Sequence, residues 1–165
     1  MKLLIDAPIS KGTKVFVRCD LDVPVENRVV KEAFRLESSL PTLRFIIEKG
    51  GIPVIAGHMG KPNGKEDPKL STKQLIPYFN ENLGEGAYEI LENLRFNPGE
   101  EENNEDFSKE LAKTAEIYVN ESFATCHRKH ASIVGITAFL PSFAGFNLQK
   151  EVESLTKVME NPEKP

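Results

Sequence analysis

The sequence predicts an α/β protein: a three-layer α/β/α sandwich around a doubly wound parallel sheet, Rossmann-like and of one domain. Three observations carry this expectation. The 165 residues suit a single domain. The runs Lys14-Val15-Phe16-Val17, Ile52-Pro53-Val54-Ile55-Ala56 and Ile117-Tyr118-Val119-Asn120 are continuously β-favouring, as strands buried on both faces should be. Helical patterns fill the intervals with short connections, and such alternation winds into a parallel sheet.

The elements follow in chain order. After the first strand, Leu36, Leu40, Leu43 and Ile47 recur at helical spacing, with Ile46 widening the stripe. Pro41 lies inside it, so a kink or two short helices are expected, and Gly50-Gly51 ends the segment. The second strand, Ile52 to Ala56, leads into a loop rich in Gly, Pro and Lys. Ser71 with Gln74 reads as a capping box opening a helix to about Asn82. Tyr88-Glu89-Ile90-Leu91 is a short strand, Asn97-Pro98-Gly99 a turn, and 100–106 an acidic loop. Residues 107–115 read as helix, Ile117 to Asn120 as strand, and 132–140 as helix stopped by Pro141. Asn147 is expected to cap a last amphipathic helix carrying Leu148, Val152, Leu155 and Met159, and 161–165 is a breaker-rich linker.

Composition narrows the function. The net charge is −4, which argues against general nucleic-acid or membrane-surface binding, so any basic site must be local. No apolar run is long enough to span a bilayer, and Met1 to Asp6 is too short and too soon acidic for a signal peptide. Cys19 and Cys126 make no disulfide framework, so reduced thiols and a cytoplasmic setting are expected.

The chemistry gathers at strand ends. Three stretches follow apolar runs: Arg18 to Pro24, Gly57-His58-Met59-Gly60-Lys61-Pro62, and Cys126-His127-Arg128-Lys129-His130. In open α/β sheets ligands bind outside the carboxyl ends of strands. Arg, Lys and His gathered there would suit a phosphorylated or carboxylated small molecule. The glycines of the second stretch let backbone N–H groups approach an anion, although the spacing to Lys61 is not that of a Walker loop. His127 and His130 could suggest a metal with Cys126 and His58, but zinc needs more ligands than two histidines, and anion binding fits the cations better. Asp20 and Asp22 admit two readings. One is a turn with a solvated carboxylate. The other is the Asp-x-Asp nucleophile motif of haloacid-dehalogenase-like Mg²⁺-dependent phosphatases, which also requires a later acidic pair to hold the metal.

The order of the motifs decides among these. Val17-Arg18-Cys19-Asp20-Leu21-Asp22-Val23-Pro24, Phe34-Arg35-Leu36 with Leu40-Pro41-Thr42-Leu43, Gly57 to Pro62, Glu92-Asn93-Leu94-Arg95-Phe96-Asn97-Pro98-Gly99-Glu100-Glu101, Tyr118-Val119-Asn120-Glu121-Ser122-Phe123 and Cys126 to Ser132 together resemble the phosphoglycerate kinase family. The resemblance implies that 1–160 is that family's amino-terminal domain and 161–165 the start of its interdomain hinge, with the carboxy-terminal nucleotide domain absent. It further implies a cytoplasmic, monomeric glycolytic enzyme transferring a phosphoryl group between 3-phosphoglycerate or 1,3-bisphosphoglycerate and Mg-ATP or Mg-ADP, the nucleotide being held by the missing domain. Neither nucleic acid nor membrane would be a partner. By position, Asp20 and Asp22 would face the substrate hydroxyl, and Arg35 would bind the carboxyl or acyl-phosphate end and act as the catalytic group. His58, Lys61, Arg95 and Arg128 would hold the 3-phosphate, with His127 and His130 orienting them. Two positions depart from the family's usual pattern: Asp22 where Asn is usual, and Lys61 where Arg is usual. Against this stand the phosphatase on Asp20 and Asp22, a stand-alone sugar-phosphate-binding module without catalysis, and a structural piece with no ligand.

Overall fold

The computed structural model describes residues 1–162. Its centre is a five-stranded, wholly parallel sheet. The strands are β1 (Lys14–Arg18), β4 (Ile52–Ala56), β5 (Glu89–Ile90), β6 (Ile117–Asn120) and β7 (Ser142–Ala144), in the order β5-β4-β1-β6-β7. A two-stranded antiparallel hairpin, β2 (Val25–Glu26) and β3 (Val29–Val30), follows the first strand. Four α-helices accompany them: α1 (Phe34–Glu48), α2 (Ile76–Leu83), α3 (Glu105–Ala112) and α4 (Phe146–Glu160). This is the α/β fold that the alternation predicts.

Strand pleating distributes the apolar side chains to two cores. Val15 and Val17 of β1, with Ile117 and Val119 of β6, face α1 and α2 and meet Leu36, Leu40, Leu43, Ile46, Leu75 and Phe79. Phe16 and Tyr118 point the other way and meet Leu111 and Ala112 of α3 and Ile136. Their rings lie 5.7 Å apart between centroids. Phe16, Val15 and Val17 expose no surface, and burial of such side chains stabilises by about 1.5–3 kcal/mol each. The same alternation sends Arg18 toward the Phe16 face.

Several local expectations change. α1 is one uninterrupted helix through Pro41. Pro41 and Glu37, whose carbonyl the proline leaves without its helical donor, are both exposed, so water can take the missing bond. Ser71 and Gln74 do not form a capping box. Gln74 Nε2 donates to the carbonyls of Lys69 and Ser71, and two 3₁₀ turns (Pro68–Leu70, Thr72–Leu75) precede α2. α3 begins at Glu105, two residues before the expected start, because Asn104 Oδ1 accepts from Phe107 N–H and caps it. Residues 132–140 contain only a 3₁₀ turn, Gly135–Ala138, and no α-helix. Gly135 sits so close to Ser108 that a Cβ would fall 2.0 Å from its Oγ, which fixes the backbone against α3. Gly145, not Asn147, precedes the first turn of α4, and Asn147 is inside the helix. The hairpin and β7 have no counterpart among the expected strands. Of the expected linker 161–165, residues 163–165 lie outside the described chain.

Gly57, the first residue after β4, lets the β1 and β4 ends approach: a Cβ there would lie 2.6 Å from Leu21 Cγ and 2.8 Å from the Cys19 carbonyl oxygen. Gly57→Ala should therefore lower unfolding free energy by about 1–3 kcal/mol, as overpacking does, measured by urea titration. An unchanged midpoint would contradict this close approach.

Candidate functional site

β1, β4 and β6 end level with one another, Arg18 pairing with Ala56 on one side and Asn120 on the other. The chain runs from β1 to β4 and β5 on one side, then returns to β6 on the other, so the order of winding reverses at β1. Open α/β sheets bind ligands at such a point. The three stretches singled out in the sequence all leave from this edge.

The deepest group there is Arg18, with no exposed surface. Every nitrogen of its guanidinium is engaged. Nε donates to Ser132 Oγ (2.8 Å), one terminal nitrogen to the Cys19 carbonyl, and the other meets His58 Nδ1 at 3.0 Å. Ser132 Oγ in turn donates to Glu100 Oε1 at 2.8 Å, and Ser132 N–H donates to the same oxygen at 3.0 Å. Glu100 is fully buried too.

His58 is 6% exposed. Burial lowers its pKa to about 3, aided by the charges of Arg18, Arg95, His130 and Arg128. It is a neutral imidazole at any physiological pH. Arg95 is 7% exposed, and its Nε lies 3.3 Å from Glu101 without hydrogen-bond geometry. Burial lowers its pKa also. His130, 8% exposed, has a buried Nδ1 with no partner among the described residues, and burial lowers its pKa despite the opposing charge of Glu100. The Arg128 guanidinium is exposed at the same place. Asn93 supports the cluster: its Nδ2 donates to the carbonyls of Met59 and Leu70, and its Oδ1 accepts from Arg95 N–H. Glu92 anchors the segment from below. Burial would raise its pKa, but donors from Asn93 N–H, Ser71 Oγ and Thr72 N–H hold it below the usual carboxylate range.

Gly60 joins this cationic group to the acidic pair. Its N–H donates to Asp22 Oδ1 at 3.0 Å, and its carbonyl accepts from Arg95 at 3.4 Å. It holds a left-handed φ of +59°, and a Cβ would lie 2.8 Å from Leu70, so glycine is required. Asp22 thus acts as an acceptor that ties two strand-end loops. The oxygen of an Asn side chain could do the same, which explains how Asp is accommodated here. Arg35, in the first turn of α1, donates to the Asp22 carbonyl at 2.9 Å and lies 3.7 Å from Asp20 Oδ1. Its side chain is half exposed, so that ion pair contributes at most about 1 kcal/mol and the group is free to turn toward a ligand. Arg35 and Asp20 line one small cleft with Ser38, Glu121, Phe123 and Asn147.

Of the residues expected at the site, His58, Arg95, Arg128 and His130 converge, and Asp20, Asp22 and Arg35 form an adjoining group. Lys61 and His127 are exposed, make no side-chain bond among the described residues, and are not among the charges that act most on His58. The phosphatase alternative needs further acidic ligands beside Asp20, and the described residues gather no group of three or more His, Cys, Asp or Glu. His130 precedes no α-helix N-terminus, so the expected helix dipole is not part of this cluster. Arg18, Ser132, Glu100 and Glu121 were not anticipated. An arginine closing a strand that is apolar on both faces is a signal of a buried, partnered charge. Ser132 and Glu100 leave no such trace.

Glu121, 2% exposed, accepts from Thr42 Oγ1 and from Asn147 N–H, each at 2.7 Å, and so pins the start of α4 to α1. Phe146 N–H donates to Thr42 Oγ1 at 3.0 Å in the same knot. Burial raises the Glu121 pKa to about 7, against the pull of these donors.

Sequence comparison places the chain in a family. The phosphoglycerate kinase family model matches residues 5–88 and 81–165. A phosphoglycerate kinase of Leptospira biflexa is 42% identical over 188 residues, covering 100% of this chain and 48% of the relative. The cytosolic phosphoglycerate kinase of Triticum aestivum is 40% identical, covering 94% of this chain and 44% of the relative. Among solved structures, phosphoglycerate kinase from Coxiella burnetii superimposes with a TM-score of 0.90 at 32% identity, over 98% of this chain and 46% of that one. The enzyme from Pyrococcus horikoshii gives 0.86 at 30% identity, over 100% and 47%. The chain spans about half the length of the curated relatives it matches. No described helix is long and apolar enough to cross a membrane.

Because Glu121 holds its proton more tightly folded than unfolded, the native state binds more protons between pH 4.5 and about 7. Its contribution to stability is present at low pH and is lost as pH rises through that window. Glu121→Gln should remove this decline, so that its unfolding free energy gains on the parent's as pH rises from about 5 to about 7.5, the opposite contributions of His58 and His130 being common to both. Equal slopes in urea titrations would contradict the assignment.

Proposed function

The chain belongs to the phosphoglycerate kinase family, and on that footing we propose that it is the half of the enzyme that holds 3-phosphoglycerate or 1,3-bisphosphoglycerate. Residues 1–160 form the amino-terminal domain and 161–165 open the hinge. Mg-ATP or Mg-ADP would be taken by the other half of the enzyme, in a cytoplasmic, monomeric protein. The observation that carries this reading is the convergence of His58, Arg95, Arg128 and His130 at the sheet's switch point, around a buried arginine.

The division of labour follows from the chemistry. Arg95 and Arg128 supply charge-assisted donors to the 3-phosphate, and neutral His58 adds a donor that leaves the local charge unchanged. Lys61 and His127, exposed at the rim, would reach a bound phosphate by side-chain rotation, Lys61 as a point charge and not a bidentate fork. Asp20, and the Asp22 oxygen not used by Gly60, would accept from the substrate hydroxyl. Arg35, half exposed and weakly held, would swing to the carboxyl or acyl-phosphate end and stabilise the transferring group. Phosphoryl transfer asks little covalent chemistry of a protein and depends on positioning and charge.

Titrating the chain with 3-phosphoglycerate should move the amide and side-chain resonances of His58, Arg95 and Arg128, and Arg128→Ala should weaken binding by about tenfold or more. A spectrum that stays still would refute the reading. In the two-domain enzyme, Arg35→Ala should lower kcat by about a hundredfold or more with little change in Tm. A loss of stability with intact kcat would assign Arg35 to the fold instead.

A further inference from the structure

We propose that Glu100, Ser132 and Arg18 form a buried hydrogen-bond chain, each bond fixed in direction, that holds His58 in its Nε2–H form, so that Arg18 acts on the bound anion through His58 and is a positioning residue. The direction of every bond follows from donor and acceptor capacity. A guanidinium has donors only. Arg18 must therefore donate to His58 Nδ1, 3.0 Å away, and that nitrogen carries no proton. The proton of the neutral imidazole is then on Nε2, which makes no bond among the described residues. Nε of Arg18 likewise must donate to Ser132 Oγ, which obliges the serine hydroxyl to send its own proton to Glu100 Oε1 at 2.8 Å. Donation thus runs outward from Arg18, to His58 on one side and through Ser132 to Glu100 on the other, with no step at which a tautomer or rotor can reverse.

Burial explains why four residues are needed. Arg18 and Glu100 each expose no surface, and a buried charge is tolerated only when paired or fully hydrogen-bonded. Ser132 lies between them and bonds both. Glu100 also acts on Arg95 and His130, so it balances more than one cation of the cluster. Tyr118 closes the site from the sheet by donating its hydroxyl proton to the Ser132 carbonyl at 2.6 Å. Three of the five Arg18 N–H groups are used in these bonds, and the guanidinium exposes no surface from which the other two could meet a ligand. Its effect reaches the ligand as a fixed imidazole N–H.

The ligand part of this inference rests on the 3-phosphoglycerate reading, but the relay can be examined without ligand. Long-range ¹H–¹⁵N spectra of the chain should show His58 as a single Nε2–H tautomer, unchanged from about pH 8 to about pH 5. The paired variant Arg18→Met with Glu100→Gln removes both buried charges together. In it His58 should populate both tautomers and titrate within that range. Ser132→Ala tests the link alone and should shift the same resonances, while Ser132→Thr, which keeps the hydroxyl, should restore them. An Nδ1–H tautomer in the parent chain overturns the proposal whether or not the variants fold, as does a His58 indifferent to all of them. If the parent binds 3-phosphoglycerate, the paired variant should raise Kd by about tenfold or more. An unchanged Kd beside an altered tautomer would overturn the positioning role. A parent that binds no 3-phosphoglycerate would remove the functional reading and leave the tautomer to decide the relay.

Discussion

A guanidinium with no exposed surface, at the end of the central strand, is the constraint around which this molecule is organised. A buried arginine must find an acceptor for its donors, and only a few backbone arrangements supply them. Here the Cys19 carbonyl, Ser132 and His58 do so, drawn from three separate segments. Satisfying Arg18 therefore fixes the loop after β4 and the segment after β6 relative to β1. The cations those segments carry then share one place. Burial at that place, aided by the like charges gathered there, lowers the pKa values of His58 and His130. Two of the group are thereby neutral near pH 7, which moderates the repulsion while keeping their hydrogen-bonding capacity.

Two further devices join this site to the rest of the fold. Gly60 bonds to Asp22 on one side and Arg95 on the other, so the acidic and cationic groups cannot shift independently. Glu121, one residue beyond β6, reaches the first turn of α4. The donors at that helix start pull against the burial that raises its pKa, and its bond from Thr42 ties α4 to α1. Arg35 lies in the first turn of α1, and Glu121 lines the same cleft as Arg35 and Asp20. The orientation of α4 and the surroundings of Arg35 are thus set by neighbouring bonds.

The sequence revealed elements whose signal is long and regular, and concealed those decided by contact. Val15-Phe16-Val17 and Ile117-Tyr118-Val119 are unbroken apolar runs, and both are strands. The α1 stripe of Leu36, Leu40 and Leu43 is likewise plain, although Pro41 suggested a break that an exposed position made unnecessary. β7 and the hairpin span two or three residues per strand, too few to show a period. The helix expected at 132–140 gave way to a 3₁₀ turn because Gly135 packs against Ser108. At the site, His58, Arg95, Arg128 and His130 were legible as cations at strand ends. Arg18 stood in the Arg18 to Pro24 motif without an assigned role, although its place at the end of a strand apolar on both faces marked it as a buried, partnered charge. Glu100 looked like part of a solvated acidic loop. Its burial depends on Ser132, 32 residues away, a pairing that no local pattern carries.

The central claim is that these side chains make one cradle for a three-carbon phosphate ester. A crystal structure of the chain grown with 3-phosphoglycerate tests it most directly. The phosphate should lie within hydrogen-bond reach of His58 Nε2 and of the Arg95 and Arg128 guanidinium groups, with the carboxylate end toward Arg35. Ligand density at any other surface, with those four side chains untouched, would contradict the account.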